Sequence, residues 1–376
     1  MLTWYRLFDN TAYRPIHSYP HEPQPWQAEF VASFFKKGRK DEAKIVSLIA
    51  DLVGIDGQVG PGSAATRETI EQRAEPFIHA IAPARTIEIS FPIGVQGQSH
   101  VLSLGPCDNN GILSQVFPTG GDNSLDGKTI TVTSLNDGFP LCKSRMRFVG
   151  PEGWGIISDI DDTIKVTQTS DPTGILKTTF ADEPQTTSGM PEFYKYLNEH
   201  FENPAFFYLS ASPYNLYPFL HQFIIDKYFP GTIILRDASW MYLSGLLQNL
   251  TQGVKPYKVD RMKKINSWLP KRKMICVGDS TQMDPESYAE IYRTYPGWIH
   301  AIYIRKVVDA PHMEEKNKEE RFTKAFEGVD AHVWKVFENP IELADHVKHL
   351  TGEAHVGAAG ALGAYFCPQD KAIKKA

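Results

Sequence analysis

Cysteine is scarce. The 376 residues contain four, Cys107, Cys142, Cys276 and Cys367, and none has metal-ligand spacing. Free buried thiols are the expectation, which suits a cytosolic chain; in a secreted chain Cys107 and Cys142 would be the pair to join, since they fall in one expected domain. No apolar run approaches the roughly 20 residues of a membrane span, so no transmembrane segment is expected. The opening MLTWYRLFDNTAYRP lacks the long apolar core of a signal peptide. There is no long basic block and the net charge is −5, which argues against a nucleic-acid partner. Asn249-Leu250-Thr251 is a glycosylation sequon of a kind that arises by chance.

What is present is ordinary for a soluble globular protein: 42% hydrophobic and 22% charged residues. The chain is long enough for two domains. Residues 41–55, DEAKIVSLIADLVGI, carry apolar side chains at helical spacing. DGQVGPGS then breaks the chain, and ATRETIEQRAEPFIHAI reads as a second helix. From residue 85 short strand-like runs follow, RTIEISF, HVLSL, ILSQVF, KTITVTSL and KSRMRFVG. That spacing predicts an antiparallel sandwich or barrel with no catalytic constellation of its own.

The texture changes near residue 150. WGIISDI, AFFYLSA, GTIILRD, KMICVGD and IHAIYIR are continuous apolar runs. Helices are expected between them at 191–200, 214–228, 258–268 and 285–295. Such a pattern predicts a parallel sheet covered on both faces, with the ligand crevice at the carboxyl ends of the strands. Polar groups gather at those ends. Asp159, Asp161, Asp162 and Thr163 follow the first run, Ser210 ends the second, and Asp279 ends the fourth, with Asp284 five residues on. Lys255 and Lys258 lie between, near an expected helix start; Lys258 is preferred because it directly precedes the helical pattern. In an extended chain residues two apart point the same way, so Asp159 and Asp161 can share a site while Asp162 caps or faces solvent. A lone acid at a strand end is usually a turn former or a cap. A calcium loop does not fit, because neither the glycine nor the twelfth-position glutamate is in place.

The order DIDDT, YLSAS, KPYK, GDSTQMD resembles the motif order of haloacid dehalogenase-type phosphatases. ISDIDDTIKVT, FFYLSASPYNLYPFL and GDSTQMDPESYAEIY further resemble the fungal actin-patch-type phosphatidate phosphatases, whose catalytic domain is related to lipins. The resemblance covers roughly residues 120–310. It implies Asp159 as nucleophile, forming an aspartyl-phosphate, and Asp161 as general acid and then base. It implies Mg²⁺ held by Asp159, the backbone carbonyl of Asp161, Asp279 and, directly or through water, Asp284. Ser210 and Lys258 would bind and neutralise the phosphoryl group, with Thr163 beside them stabilising the turn. The tail lacks the proline-rich motifs of actin-patch members, a departure that leaves an actin link in doubt.

The expected organisation is an N-terminal helical region (1–84), a β-rich sandwich-like domain (85–150), a Rossmann-like, haloacid dehalogenase-like α/β domain with minimal cap (151–350) and a flexible tail (351–376). The interval from Asp159 to Ser210 must hold a helix and a strand, which leaves no room there for a large cap. An open site suits a phosphorylated lipid at a membrane surface; Trp240, Met241, Tyr242 and Leu243 could meet that interface, although such a stretch is more often core. The expected location is cytoplasmic, peripheral to a membrane, with secretion left open. Two other readings stand beside phosphatidate hydrolysis. One is the same chemistry on a soluble metabolite, a phosphoprotein or an isoprenoid phosphate; the other is a membrane- or protein-binding module with a vestigial phosphatase domain.

Overall fold

The computed structural model describes residues 3–15, 25–36, 42–54, 61–93, 99–135, 142–236 and 255–352. The chain is α/β and contains two sheets. The first has nine strands: β1 (Thr3–Leu7), β2 (Asn10–Tyr13), β3 (Gln27–Lys36), β4 (Ala80–Ile81), β5 (Ile87–Phe91), β6 (His100–Leu104), β7 (Ile112–Pro118), β8 (Thr129–Ser134) and β9 (Lys143–Phe148). Its order is β1-β3-β2-β9-β8-β5-β6, with β4 and β7 also on β3. All pairings are antiparallel except β2 with β9, so the sheet is mixed.

Two expectations are corrected here. Residues 1–84 are not a helical region: helices α1 (Glu42–Leu52) and α2 (Pro61–Ile78) do form, but β1–β4 surround them in sequence. Residues 85–150 are not a separate antiparallel sandwich either, because β2 pairs with β9 and β3 with β7. The reason is that β3 is central. It bonds β1 and β2 along one side and β7 along the other, and most of its side chains are buried. A strand covered on both faces shows no alternation, and its partner β7 lies far along the chain.

The second sheet is wholly parallel: β10 (Trp154–Asp159), β11 (Ala205–Pro213), β12 (Thr232–Arg236), β13 (Lys273–Asp279), β14 (Ile299–Arg305) and β15 (Trp334–Phe337), in the order β12-β11-β10-β13-β14-β15. The intervening helices are α3 (Pro172–Leu176), α4 (Met190–His200), α5 (Tyr217–Lys227), α6 (Lys255–Trp268), α7 (Asp284–Thr294), α8 (Glu319–Ala325) and α9 (Ala344–Thr351). Alternate strand residues serve opposite faces. Ile156, Ile275 and Tyr303 pack with Phe193, Leu220 and Val347 of α4, α5 and α9. Ile157, Cys276 and Ile302 pack with Met262, Tyr288 and Phe322 of α6, α7 and α8. Each fully buried aliphatic side chain contributes about 2 kcal/mol, which is why continuous apolar runs make these strands. The strand order reverses between β10 and β13, the place where doubly wound sheets open a crevice.

The two sheets are joined. Phe8 stacks on Tyr214 and packs at a tilt against Tyr217, with ring centroids 5.0 and 4.2 Å away. Asp9 takes the Arg145 backbone N–H at 2.7 Å and Arg145 Nε at 3.0 Å, and His221 Nε2 lies 2.9 Å from it. Cys107, Cys142 and Cys276 are free thiols. No described helix is long and apolar enough to cross a membrane. The stretch 238–247, the sequon, Cys367 and the tail beyond residue 352 lie outside the described residues.

Candidate active site

β10 delivers Asp159 and β13 delivers Asp279 as the last residues of adjacent strands, while Asp284 opens α7. All three carboxylates are buried, and one oxygen from each lies within 4.8 Å of the others. Gly278 makes this possible: a Cβ there would sit 2.5 Å from Asp284 Oδ2 and 2.8 Å from its Cβ. Asp284 Oδ2 also accepts the Asp279 N–H at 3.1 Å.

Lys258, from the first turn of α6, reaches into the cluster with no solvent exposure. Its Nζ lies 2.6 Å from Asp159 Oδ1 and also bonds Asp284 Oδ1. Lys255 instead lies on the surface, paired with Glu290 at 2.8 Å. Thr163 Oγ1 sits between Asp159 Oδ2 (3.1 Å) and Asp279 Oδ2 (3.3 Å). The hydroxyl therefore links the two carboxylates.

Asp161 is in the same crevice but has separate partners. Ser210 Oγ donates to its Oδ2 at 2.6 Å, and Thr167 Oγ1 donates to its Oδ1 at 2.9 Å. Ser210 Oγ in turn accepts the Ser212 N–H at 3.0 Å. Behind Thr167 stands Lys165, a buried amine whose Nζ donates to Thr167 Oγ1 at 3.1 Å.

The expectation that Asp162 faces solvent is corrected: it is 3% exposed and organises the loop that follows. Its φ of +60° turns the side chain inward, a conformation that Asp tolerates better than most residues. Its carboxylate accepts the N–H groups of Thr167, Gln168 and Thr169 at 2.7–2.9 Å and the Thr169 hydroxyl at 2.6 Å. Arg305 Nη1 holds its carbonyl at 2.9 Å. Sequence reasoning missed Lys165, Thr167, Thr169 and Thr281, whose N–H and hydroxyl both serve Asp279 Oδ1. The only signal was the threonine-rich spelling of KVTQTS and GDST.

The cluster carries more negative charge than Lys258 offsets. Burial drives the Asp159 carboxyl well above its usual range; Lys258 opposes this, and Asp284, Asp279 and Asp161 add to it. Burial and the neighbouring Asp284 push Asp279 up to about 7, against the pull of Lys258. Burial alone would lower the Lys258 amine, but Asp159, Asp284 and Asp279 outweigh it and hold it charged. Burial lowers Lys165, with Asp161 and Asp162 opposing. Three buried carboxylates with only oxygen donors and unrelieved repulsion fit a hard divalent cation, and Asp159, Asp279 and Asp284 could hold one.

The fold and site thus define a class: a doubly wound α/β protein with a buried acid–lysine cluster at its switch point. Residues 154–306 match the family model described as phosphatidate phosphatase APP1, catalytic domain, in line with the resemblance carried by the strand-end motifs. The phosphatidate phosphatase APP1 of Saccharomyces cerevisiae is 35% identical over 176 residues, 45% of this chain and 29% of that protein. An uncharacterized protein of Schizosaccharomyces pombe is 28% identical over 206 residues, 52% of this chain and 33% of its own length. The matches thus span about a third of these relatives. A solved β-glucuronidase from Ruminococcus gnavus overlaps 89% of this chain and 54% of its own, at 10% identity and a TM-score of 0.24, too low to carry an argument.

Proposed function

We propose that this chain is a divalent-cation-dependent phosphatidate phosphatase, with Mg²⁺ the cation, releasing diacylglycerol and phosphate. One observation carries the reading: the family match falls on the strands whose ends bring Asp159, Asp279 and Asp284 together around Lys258. Asp159 is the nucleophile. Its Oδ forms a bond to phosphorus as the bond to the glycerol oxygen breaks, leaving an aspartyl-phosphate. Asp161 gives its proton to the departing alkoxide and takes one from the water that later hydrolyses the intermediate. Ser210 and Thr167, donating to its two oxygens, fix its orientation. Lys258 offsets the charge of nucleophile and phosphoryl group. A cation held by Asp159, Asp279 and Asp284 would supply the remaining neutralisation. The intact set of acids disfavours a vestigial domain.

The test is phosphate release from phosphatidate in mixed micelles, with Mg²⁺ or EDTA. Mg²⁺-dependent release, lost in Asp159→Asn, is expected. Release only from a soluble aryl phosphate would keep the chemistry and discard the lipid. Silence on both would discard the enzyme.

A further inference from the structure

The opposite pole of the parallel sheet carries a second constellation. A cavity of about 610 Å³ opens there, at the seam between the two sheets. Trp154, Ala205 and Lys273, the first residues of β10, β11 and β13, line it from one side, and Arg147 of β9 lines it from the other. Arg272 stands between them.

Both arginines are held in place by backbone. Arg147 Nη1 and Nη2 donate to the Pro204 and Asn203 carbonyls at 3.1 and 2.8 Å. Arg272 Nε and Nη1 donate to the Gly150 and Trp154 carbonyls at 2.8 and 2.5 Å. Gly153, at φ +103°, lets that guanidinium approach: a Cβ there would lie 3.3 Å from Nη1. The Lys273 amine lies 5.3 Å above the Trp154 ring. Among the described residues none of the three cations makes an ion pair. Two acids line the same cavity: Glu202, and Asp126, whose carboxylate also accepts the Gly150 N–H at 2.7 Å. Burial brings Arg272 down to about 10, with Asp126 opposing and Arg147 adding to the fall. Carbonyl acceptors fix direction without cancelling charge, so three preorganised cations face two carboxylates and the lining keeps an excess of positive charge.

We propose that this cavity binds a soluble phosphate-bearing anion. The remaining guanidinium N–H groups and the Lys273 amine suit phosphate oxygens, and the three cations outnumber the two lining acids. The ligand is soluble rather than a membrane headgroup because of where the cavity lies. It is a full strand, about 20 Å, from the catalytic acids, at the other end of the sheet. On the proposed reading that a lipid substrate enters at the catalytic pole, the membrane that presents it cannot also reach this one.

The experiment is calorimetric titration of the full chain with pyrophosphate, for the parent and for Lys273→Gln, Arg272→Gln and Asp159→Asn. Lys273 is exposed and its amine touches only the Trp154 ring, so its variant keeps the test open should Arg272→Gln fail to fold. Affinity is expected to fall about tenfold in Lys273→Gln, the scale of one charged contact, and to stay unchanged in Asp159→Asn. Equal affinity in parent and Lys273→Gln would overturn the site, as would absence of binding. Loss in Asp159→Asn would place the anion in the catalytic crevice instead, leaving the phosphatase reading untouched. Sedimentation with phosphatidylglycerol vesicles that depends on Lys273 would overturn the soluble ligand.

Discussion

Deleting the Lys258 amine would leave Asp159 and Asp284 as adjacent buried anions. Lys258→Met is therefore expected to destabilise the metal-free chain by on the order of 3–5 kcal/mol in urea unfolding, the scale for removing one partner of a buried ion pair. Lys255→Ala, which only breaks a half-exposed pair with Glu290, should stay within about 0.5 kcal/mol. Equal effects would contradict the assignment of Lys258 to the cluster. Asp279 offers a test by pH. Its folded pKa, up to about 7, lies above the unfolded value near 4. The folded state thus holds a proton that the unfolded state has lost. The stability tied to this group is complete below about pH 4 and is lost as pH rises through about 7. In EDTA, the unfolding free energy of the parent minus that of Asp279→Asn should fall between about pH 5 and about pH 8. A difference flat across that window would contradict the raised carboxyl. Added Mg²⁺ should reverse the trend if Asp279 is a ligand.

At the scale of elements, the strand ends depend on close approach. Gly278→Ala would drive a methyl into Asp284, whose Cβ it would meet at 2.8 Å. Asp284 must shift, and Lys258 with it. Turnover in the proposed phosphatase assay is expected to fall at least tenfold while the far-ultraviolet circular dichroism stays intact; unchanged turnover would show that the Asp284 position is not critical. The sequence made this layer legible for a physical reason. β10, β11, β12, β13 and β14 are buried on both faces, so each is a continuous apolar run, and in such sheets the strand ends face the crevice. Asp159, Asp161, Ser210, Lys258, Asp279 and Asp284 could therefore be named together. The first sheet was less readable. β1 and β2 are short, β3 lacks alternation, and their partners are supplied by distant chain. Asp162 was half-read because its positive φ breaks the extended pattern from which its direction was inferred. Lys165 was missed because a lysine gives no sign in sequence that it will be buried.

At the scale of the molecule, the first sheet is not an appendage. Phe8 lies on Tyr214 and Tyr217, Thr11 Oγ1 meets Thr232 Oγ1 at 2.7 Å, and Arg147 and Arg272 tie the seam through carbonyls. α1 and α2 share a core with α3 and the segments that follow it and β11, through Ile49, Ile70 and Phe77 against Ile175, Phe180 and Tyr214. Separating the sheets would expose these rings and strand their polar partners. A chain cut at residue 118 would also split the first sheet between β7 and β8. The whole chain is therefore expected to unfold in one calorimetric transition, with the van't Hoff and calorimetric enthalpies equal. Asp9 is the sensor of the seam. Burial would raise its carboxyl, but His221 and Arg145 outweigh burial and hold it below its usual range. Its folded pKa is thus below the unfolded one. The stability it adds is present above about pH 4 and is lost as pH falls through the lower, folded value. Asp9→Asn should therefore be less stable than the parent at neutral pH and should show a shallower loss on acidification. Two resolved transitions in the parent, or an Asp9→Asn acid limb as steep as the parent's, would mean that the sheets fold independently and that the seam adds little to either.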